Sequence, residues 1–357
     1  MQRSNITFCT TADGTRLAVC TEGAGKDVIF GPGHFAEDLS SPGPGTLPWL
    51  DALLPCARVT RYDGRGMGLS DRQVTRCTPD AWLEDLDAIV QTLGDGPIAF
   101  VTHSHGAPLA VWYASLHPER VSHLVLYGGY LRGRSKRDGS ERQAQENRAQ
   151  REAILAGWGS DTSYAAGFRR VFISRFYPHA DEPLLATLDA RASARWSRDV
   201  LLAYTEAAWE LDMSEQARRV QCPTLVLHAT RDQAMPLEEG RSLAAHIPGS
   251  RFIPIDSDNH LPLSSDVDCA TTMDEVKRFL GLDDRAGDGA VRQGALTPRQ
   301  LEVLRLVAAG QTDKQIARAL ALSPRTVEMH VGRALEALAC HTRAEAVRKA
   351  VELRLLQ

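Results

Sequence analysis

The sequence predicts an α/β domain over residues 1–281 carrying a helical insertion, then a flexible connection, then a small all-α domain over 295–357. Three observations predict this. Short β-rich runs alternate with amphipathic stretches through the first 280 residues, the mark of a mostly parallel sheet flanked by helices. Between Leu131 and Met213 that rhythm breaks into arginine-rich and aromatic-bearing helical segments. After Leu280 the chain turns polar and glycine-rich, and then Ala- and Leu-rich to its end.

The expected strands are Ile6–Cys9, Leu17–Thr21, Val28–Phe30, Arg58–Tyr62, Ile98–Thr102, His123–Tyr127, Thr224–Ala229 and Arg251–Ile255. Val28–Phe30, Ile98–Val101 and Thr224–Leu227 are apolar throughout, as strands covered on both faces are. Pro79–Leu93 carries an apolar stripe at helical spacing, and Ala107–His117 opens on small apolar residues. The stretch 131–213 reads as a helical cap over the sheet. Its arginines (Arg132, Arg134, Arg137, Arg142, Arg148, Arg151) read as a solvated helix face, and its aromatics as cap core and pocket lining. Residues 282–294 read as the flexible linker, with an r.m.s. span of roughly 20 Å.

A 43% share of hydrophobic and 24% of charged residues fits a soluble globular protein. No run of about 18 apolar residues occurs, and Met1–Asp13 lacks the apolar segment of a signal peptide, so a cytoplasmic protein without membrane contact is expected. Seven scattered cysteines with no C-x-x-C spacing point to reduced, buried thiols rather than disulfides or a zinc site. The net charge of −4 is uneven: residues 295–357 hold ten Lys/Arg against six Asp/Glu, leaving 31 against 39 in the remainder. A small basic tail on an acidic body suggests a polyanionic partner.

The chemistry concentrates at Val101-Thr102-His103-Ser104-His105-Gly106, between an apolar strand and a helix. A sharp strand-to-helix turn of this kind lifts a serine hydroxyl above the sheet, and it needs small residues on either side of the serine. Gly106 supplies one; Thr102 stands where the other would be glycine. A serine nucleophile needs a base, and the base needs an acid to orient it. Asp232 follows the strand ending at Ala229, and His260 follows the strand ending at Ile255, so both fall in loops at the carboxyl ends of strands. The backbone N–H groups of His105 and His34, the latter in Gly31-Pro32-Gly33-His34-Phe35, are the candidate oxyanion donors. His117, His123, His179, His228 and His246 read as surface or structural.

With these motifs in place, residues 5 to about 280 resemble the α/β-hydrolase superfamily. Tyr62-Asp63-Gly64-Arg65-Gly66-Met67-Gly68-Leu69-Ser70-Asp71 is similar to its D-x-R-G-x-G-x-S segment, and His117-Pro118-Glu119-Arg120-Val121 also matches. The resemblance implies Ser104, Asp232 and His260 as a catalytic triad. A serine at the elbow argues against the dehalogenases and epoxide hydrolases, which place a carboxylate there. Ester, thioester, lactone, amide and carbon–carbon bond hydrolysis all stay open, with no cofactor and no metal.

From Leu296 on, Thr297 and Pro298 open a helix that Gly310 ends. Thr312 caps a short second helix to Leu320, Ser323 caps a third to Leu338, and a fourth runs Thr342–Leu355. Two short helices joined by a tight turn form helix-turn-helix geometry. Order and spacing resemble the LuxR-type family, which implies Ser323–Leu338 as the recognition helix. Lys314, Arg318, Arg325, Thr326, His330 and Arg333 are then the DNA-facing candidates, while Glu328 stands where the family commonly has lysine. The expected protein is a DNA-binding transcriptional regulator, acting as a homodimer, whose hydrolase-like domain senses a small acyl, ester or lactone ligand, with hydrolysis of that ligand left open. Two alternatives stay open: a serine hydrolase whose helix-turn-helix serves localisation or assembly, and a receptor with an idle triad.

Overall fold

The structure, a computed structural model, describes residues 5–31, 38–137, 139–282, 298–320, 327, 330–332, 334–335, 338, 340, 342–352 and 356. The chain divides into two compact units, Met1–Asp284 and Arg285–Gln357.

The larger unit is built on eight strands: β1 (Ile6–Thr10), β2 (Arg16–Gly23), β3 (Lys26–Phe30), β4 (Ala57–Tyr62), β5 (Ile98–His103), β6 (Val121–Tyr127), β7 (Thr224–Ala229) and β8 (Arg251–Ile255). They form one sheet in the order β1-β2-β4-β3-β5-β6-β7-β8. β1 and β2 pair antiparallel, β2 joins β4 antiparallel, and every later pairing is parallel. Every residue of β5 and β7 is buried, as their unbroken apolar runs require of strands covered on both faces. Because β5, β7 and β8 run parallel, the loops that follow them open at the same edge of the sheet.

Helices α1 (Leu47–Leu53), α2 (Pro79–Gln91) and α3 (Gly106–Leu116) connect the first strands. Thr78 caps α2 with its side chain accepting from Ala81 N, and Pro79 takes the first helical position. Between β6 and β7 lie a 3-10 turn (Arg134–Lys136) and five helices: α4 (Glu141–Gly157), α5 (Ser163–Ser174), α6 (Glu182–Arg195), α7 (Arg198–Trp209) and α8 (Ser214–Arg218). Ser140, Thr162, Asp181 and Ser197 each cap one of α4 to α7. Helices α9 (Leu237–His246) and α10 (Cys269–Phe279) complete the unit.

Cap and sheet share one hydrophobic core, to which Trp158, Phe172, Trp196 and Tyr204 of the insertion belong. A buried ion pair fastens them as well. The Arg195 guanidinium at the end of α6 meets Asp63 at 3.0 Å, both side chains being 1% exposed. Asp63 also accepts from Leu69 N, and Ser70 ties its hydroxyl to Asp63 O while accepting from Ala18 N. Removing either charge would strand the other in the interior. The segment Tyr62–Asp71 is thus a structural clasp in this chain.

The arginine run divides. Arg142, Arg148 and Arg151 on α4 are exposed, as a solvated face should be. Arg134 and Arg137 precede that helix and are turned inward, with side chains 9% and 8% exposed. Their orientation is set by an interaction distant in sequence: Arg132 bridges to Asp212, and Gly133 N donates to Leu211 O.

In the smaller unit, α11 (Pro298–Ala308), α12 (Asp313–Ala319) and α13 (Arg343–Glu352) are described in full extent. Gly310, at φ +75, closes α11 by the left-handed turn that glycine adopts without strain. Thr312 and Gln315 form a reciprocal capping box at α12. Val327 and Val331 pack on Val303 and Ile316, while Ala334 and Leu338 pack on Leu304, Ala346 and Ala350. Asp313 and Arg343 join α12 to α13 through a paired contact, the longer at 2.8 Å. No helix among the described residues is long and apolar enough to cross a membrane.

Candidate active site

Ser104 sits between the end of β5 and the start of α3 with φ of +51, the one described non-glycine residue in the left-handed region. Such a conformation costs of order 1 kcal/mol or more and persists because its surroundings hold it. Ser104 N donates to Tyr127 O on the neighbouring strand at 2.9 Å, and Ala107 N donates to Ser104 O at 3.1 Å. Thr102, in the place of a glycine, is accommodated within β5: its side chain is buried and its hydroxyl finds no partner among the described residues. The turn therefore forms without the first glycine. His105 N takes no acceptor among the described residues, which leaves that N–H available above the turn.

Asp232 and His260 come together at the carboxyl ends of β7 and β8. His260 Nδ1 lies 2.6 Å from Asp232 Oδ2 and both side chains are fully buried. The second carboxylate oxygen, Oδ1, accepts from Ala234 N at 2.8 Å and Met235 N at 2.9 Å. Burial alone would raise the Asp232 pKa, but attraction and hydrogen bonding from His260, with His228 and Met235 N adding, hold it below the ordinary carboxylate value. An ionised Asp232 fixes the His260 tautomer, placing the proton on Nδ1 and the lone pair on Nε2. Nε2 is buried and makes no hydrogen bond among the described residues.

The imidazole is held from both sides. His260 N donates to Phe176 O at 2.8 Å, and the Phe176 ring meets the imidazole edge-on at 5.3 Å. On the other side Gly128, at φ +56, leaves no room for a side chain, since a Cβ there would stand 3.0 Å from His260 Cε1. The other nearby histidines are weaker bases than a free imidazole. Burial, with repulsion from His260, pulls His103 down to about 3 and His105 to about 4. His105 instead bonds Tyr130 OH through Nδ1 at 2.8 Å. His228, expected to be surface or structural, is fully buried, with Nε2 3.0 Å from Met235 O and 3.6 Å from Asp232 Oδ2.

The profile described as alpha/beta hydrolase fold matches residues 44–266. The chain belongs to the alpha/beta hydrolase fold family. A second profile, bacterial regulatory proteins of the luxR family, matches residues 294–350, so a hydrolase-fold domain and a LuxR-type helix-turn-helix domain share one chain. Among curated relatives, a protein of Caulobacter sp. (strain K31) assigned as the carbamate hydrolase RutD is 30% identical over 226 residues, 58% of this chain and 76% of its own. The 2-hydroxymuconate semialdehyde hydrolase of Pseudomonas sp. (strain CF600) is 27% identical over 247 residues, covering 65% of this chain and 80% of its own. Among solved structures, a hydrolase from Pseudomonas aeruginosa PA01 is 25% identical with a TM-score of 0.63, covering 78% of this chain and 98% of that one.

In this alpha/beta hydrolase domain Ser104, His105 and His260 line one cavity beneath the cap helices. Phe172 and Trp209 give it apolar wall, and Arg134, Arg137 and Arg175 give it charge. None of these three arginines was legible as a site residue, because their approach to the serine depends on how the cap folds back. Among the described residues, no three or more His, Cys, Asp or Glu side chains cluster as a metal site would require.

Of the DNA-facing candidates, Lys314 and Arg318 are exposed and four residues apart on α12, so they share one face. His330 is half-buried in a helical stretch. Arg325, Thr326 and Arg333 lie outside the described residues, as does the oxyanion candidate His34.

Proposed function

We propose that this protein is a DNA-binding transcriptional regulator whose amino-terminal domain binds and hydrolyses a small acyl ligand at Ser104. The observation that carries the chemistry is the constellation at the cavity: a serine on a strained turn, and a buried imidazole whose Nδ1 is locked to a carboxylate while Nε2 stays unbonded. His260 Nε2 takes the Ser104 proton as Oγ bonds to the acyl carbon. The His105 N–H, with His34 N–H as the expected partner, receives the oxyanion. His260 then returns the proton to the leaving group, and a water, deprotonated in turn by His260, releases the acyl group from Ser104. Esters, lactones, thioesters and amides all meet this description, and the named relatives are hydrolases of their own substrates.

The regulatory part rests on the second domain. Lys314 and Arg318 would neutralise phosphates from α12 while the helix around His330 enters a major groove, the chain binding paired half-sites as a homodimer. Ligand occupancy changes DNA affinity to the extent that it binds one conformational state better than another. The experiment compares the full chain with Ser104→Ala for turnover of short-chain 4-nitrophenyl esters and for duplex affinity with and without those esters. Turnover by the native chain alone, with an ester-dependent shift in duplex affinity, is the expected result. Turnover without any such shift would leave a hydrolase that uses its DNA-binding domain for localisation.

A further inference from the structure

The cavity beside Ser104 is more positively charged than ester hydrolysis requires. Three arginines line it, Arg134, Arg137 and Arg175, and no Asp or Glu among the described residues does so. The acidic partners behind them do not balance the charge. Glu146 pairs with Arg134 at 2.9 Å but is itself 47% exposed and is shared with Arg142 at 3.2 Å. Glu239 is divided between Arg132 at 3.6 Å and Arg137 at 3.7 Å.

Arg175 stands apart. It donates from Nη1 to the Gln150 amide oxygen at 2.5 Å and from Nη2 to the carbonyls of Gln233 and Ala234 at 3.4 Å each, and it meets no carboxylate within 4.0 Å among the described residues. Arg137 Nη2 lies 2.7 Å from the Met235 thioether, a weak acceptor. Partly buried cations with weak or neutral partners are costly, and a bound anion would relieve that cost. Burial accordingly pulls Arg134 down to about 10 and lowers Arg137 and Arg175 as well.

We propose that Arg175 and Arg137 form an anion subsite, so that the ligand at Ser104 is an acyl compound carrying a second, anionic group, a carboxylate on the acyl chain. Nη1 of Arg175 carries a second N–H beyond its bond to Gln150 and Nη2 makes only the two long contacts at 3.4 Å, and a guanidinium offers such donors in the geometry a carboxylate accepts in pairs. Phe172 and Trp209 cover the carbon chain that separates the two ends. This inference rests on the reading of Ser104 as the acyl-binding residue, and it deepens that reading by naming the ligand class.

The test is calorimetric titration of the full chain carrying Ser104→Ala with monomethyl glutarate, and with methyl pentanoate as the neutral probe of similar length. Monomethyl glutarate is expected to bind at least tenfold more tightly. Adding Arg175→Met or Arg137→Met should each reduce that ratio severalfold, and Arg175→Lys should keep part of it. Because each variant is judged by its own ratio of two probes, a general loosening of the fold would not mimic the result. Equal affinities, a preference for the neutral ester, no binding of either at millimolar concentration, or a preference that survives both methionine substitutions would overturn the proposal. Turnover plays no part in this readout. A chain that fails to react at Ser104 but keeps the anion preference refutes catalysis and leaves the subsite standing; the opposite pair of results refutes the subsite alone.

Discussion

Replacing Asp232 by asparagine separates orientation from charge. In the native chain Oδ1 accepts two backbone N–H groups, from Ala234 and Met235, and Oδ2 faces His260 Nδ1 at 2.6 Å. Asparagine has one oxygen and one amide nitrogen. The two backbone donors select the oxygen for the Oδ1 position, which turns the NH2 toward His260 Nδ1. That nitrogen must then accept, and the ring proton moves to Nε2, where the lone pair is needed. The side chain keeps its size and both backbone hydrogen bonds, so folding should be little affected. The wrong tautomer is worth about ten-thousand-fold in kcat for such a triad, which is about 5 kcal/mol of transition-state stabilisation. The assay is initial-rate hydrolysis of 4-nitrophenyl acetate by both proteins, with urea unfolding as the control for stability. A variant within tenfold of the native rate would refute the argument that Asp232 sets the His260 tautomer.

Gly128→Ala should act on the same imidazole from beneath. The left-handed φ costs an alanine roughly 1–2 kcal/mol, and its Cβ would stand 3.0 Å from His260 Cε1, so kcat should fall roughly tenfold to a hundredfold in steady-state assays while KM moves less. Acid should destabilise the hydrolase domain well above the carboxylate range. His103 and His105 titrate near 3 and 4 when folded and near 6.5 when unfolded, so the unfolded state binds more protons below that pH. Their stabilisation is complete above about pH 6.5 and lost as pH falls toward 4, by about 1.4 kcal/mol per pH unit for each; urea midpoints at pH 7.5 and 5.5 check this, and His105→Asn should flatten the slope. In the smaller domain, Lys314→Ala and Arg318→Ala should each weaken duplex binding across sequences and reduce the salt slope by about 1. A slope unchanged in both variants would remove α12 from the phosphate contacts.

Much of the candidate site was legible because its parts are local. A strand, a serine and a helix in direct succession place Ser104, and a loop after an apolar strand places Asp232 and then His260. The cap was legible as a break in the strand rhythm. Its inward arginines were not, because Arg134 and Arg137 owe their direction to the pairing of Arg132 with Asp212, eighty residues further on. Helical spacing in the run correctly described Arg142, Arg148 and Arg151, which do lie on a helix, and misplaced those that precede it. The hydrogen bond from His260 N to the Phe176 carbonyl was equally invisible, since no side-chain pattern reports a backbone acceptor. In the smaller domain the caps at Thr312 and Gly310 were legible from residue type alone.

The most direct test of the account is intact-mass analysis of the native chain and Ser104→Ala after treatment with a fluorophosphonate, which phosphonylates an activated serine and releases fluoride. One adduct on the native chain and none on Ser104→Ala is the predicted result, with Asp232→Asn labelling far more slowly. No adduct on the native chain, or one that persists in Ser104→Ala, would contradict the claim that His260 and Asp232 activate this serine.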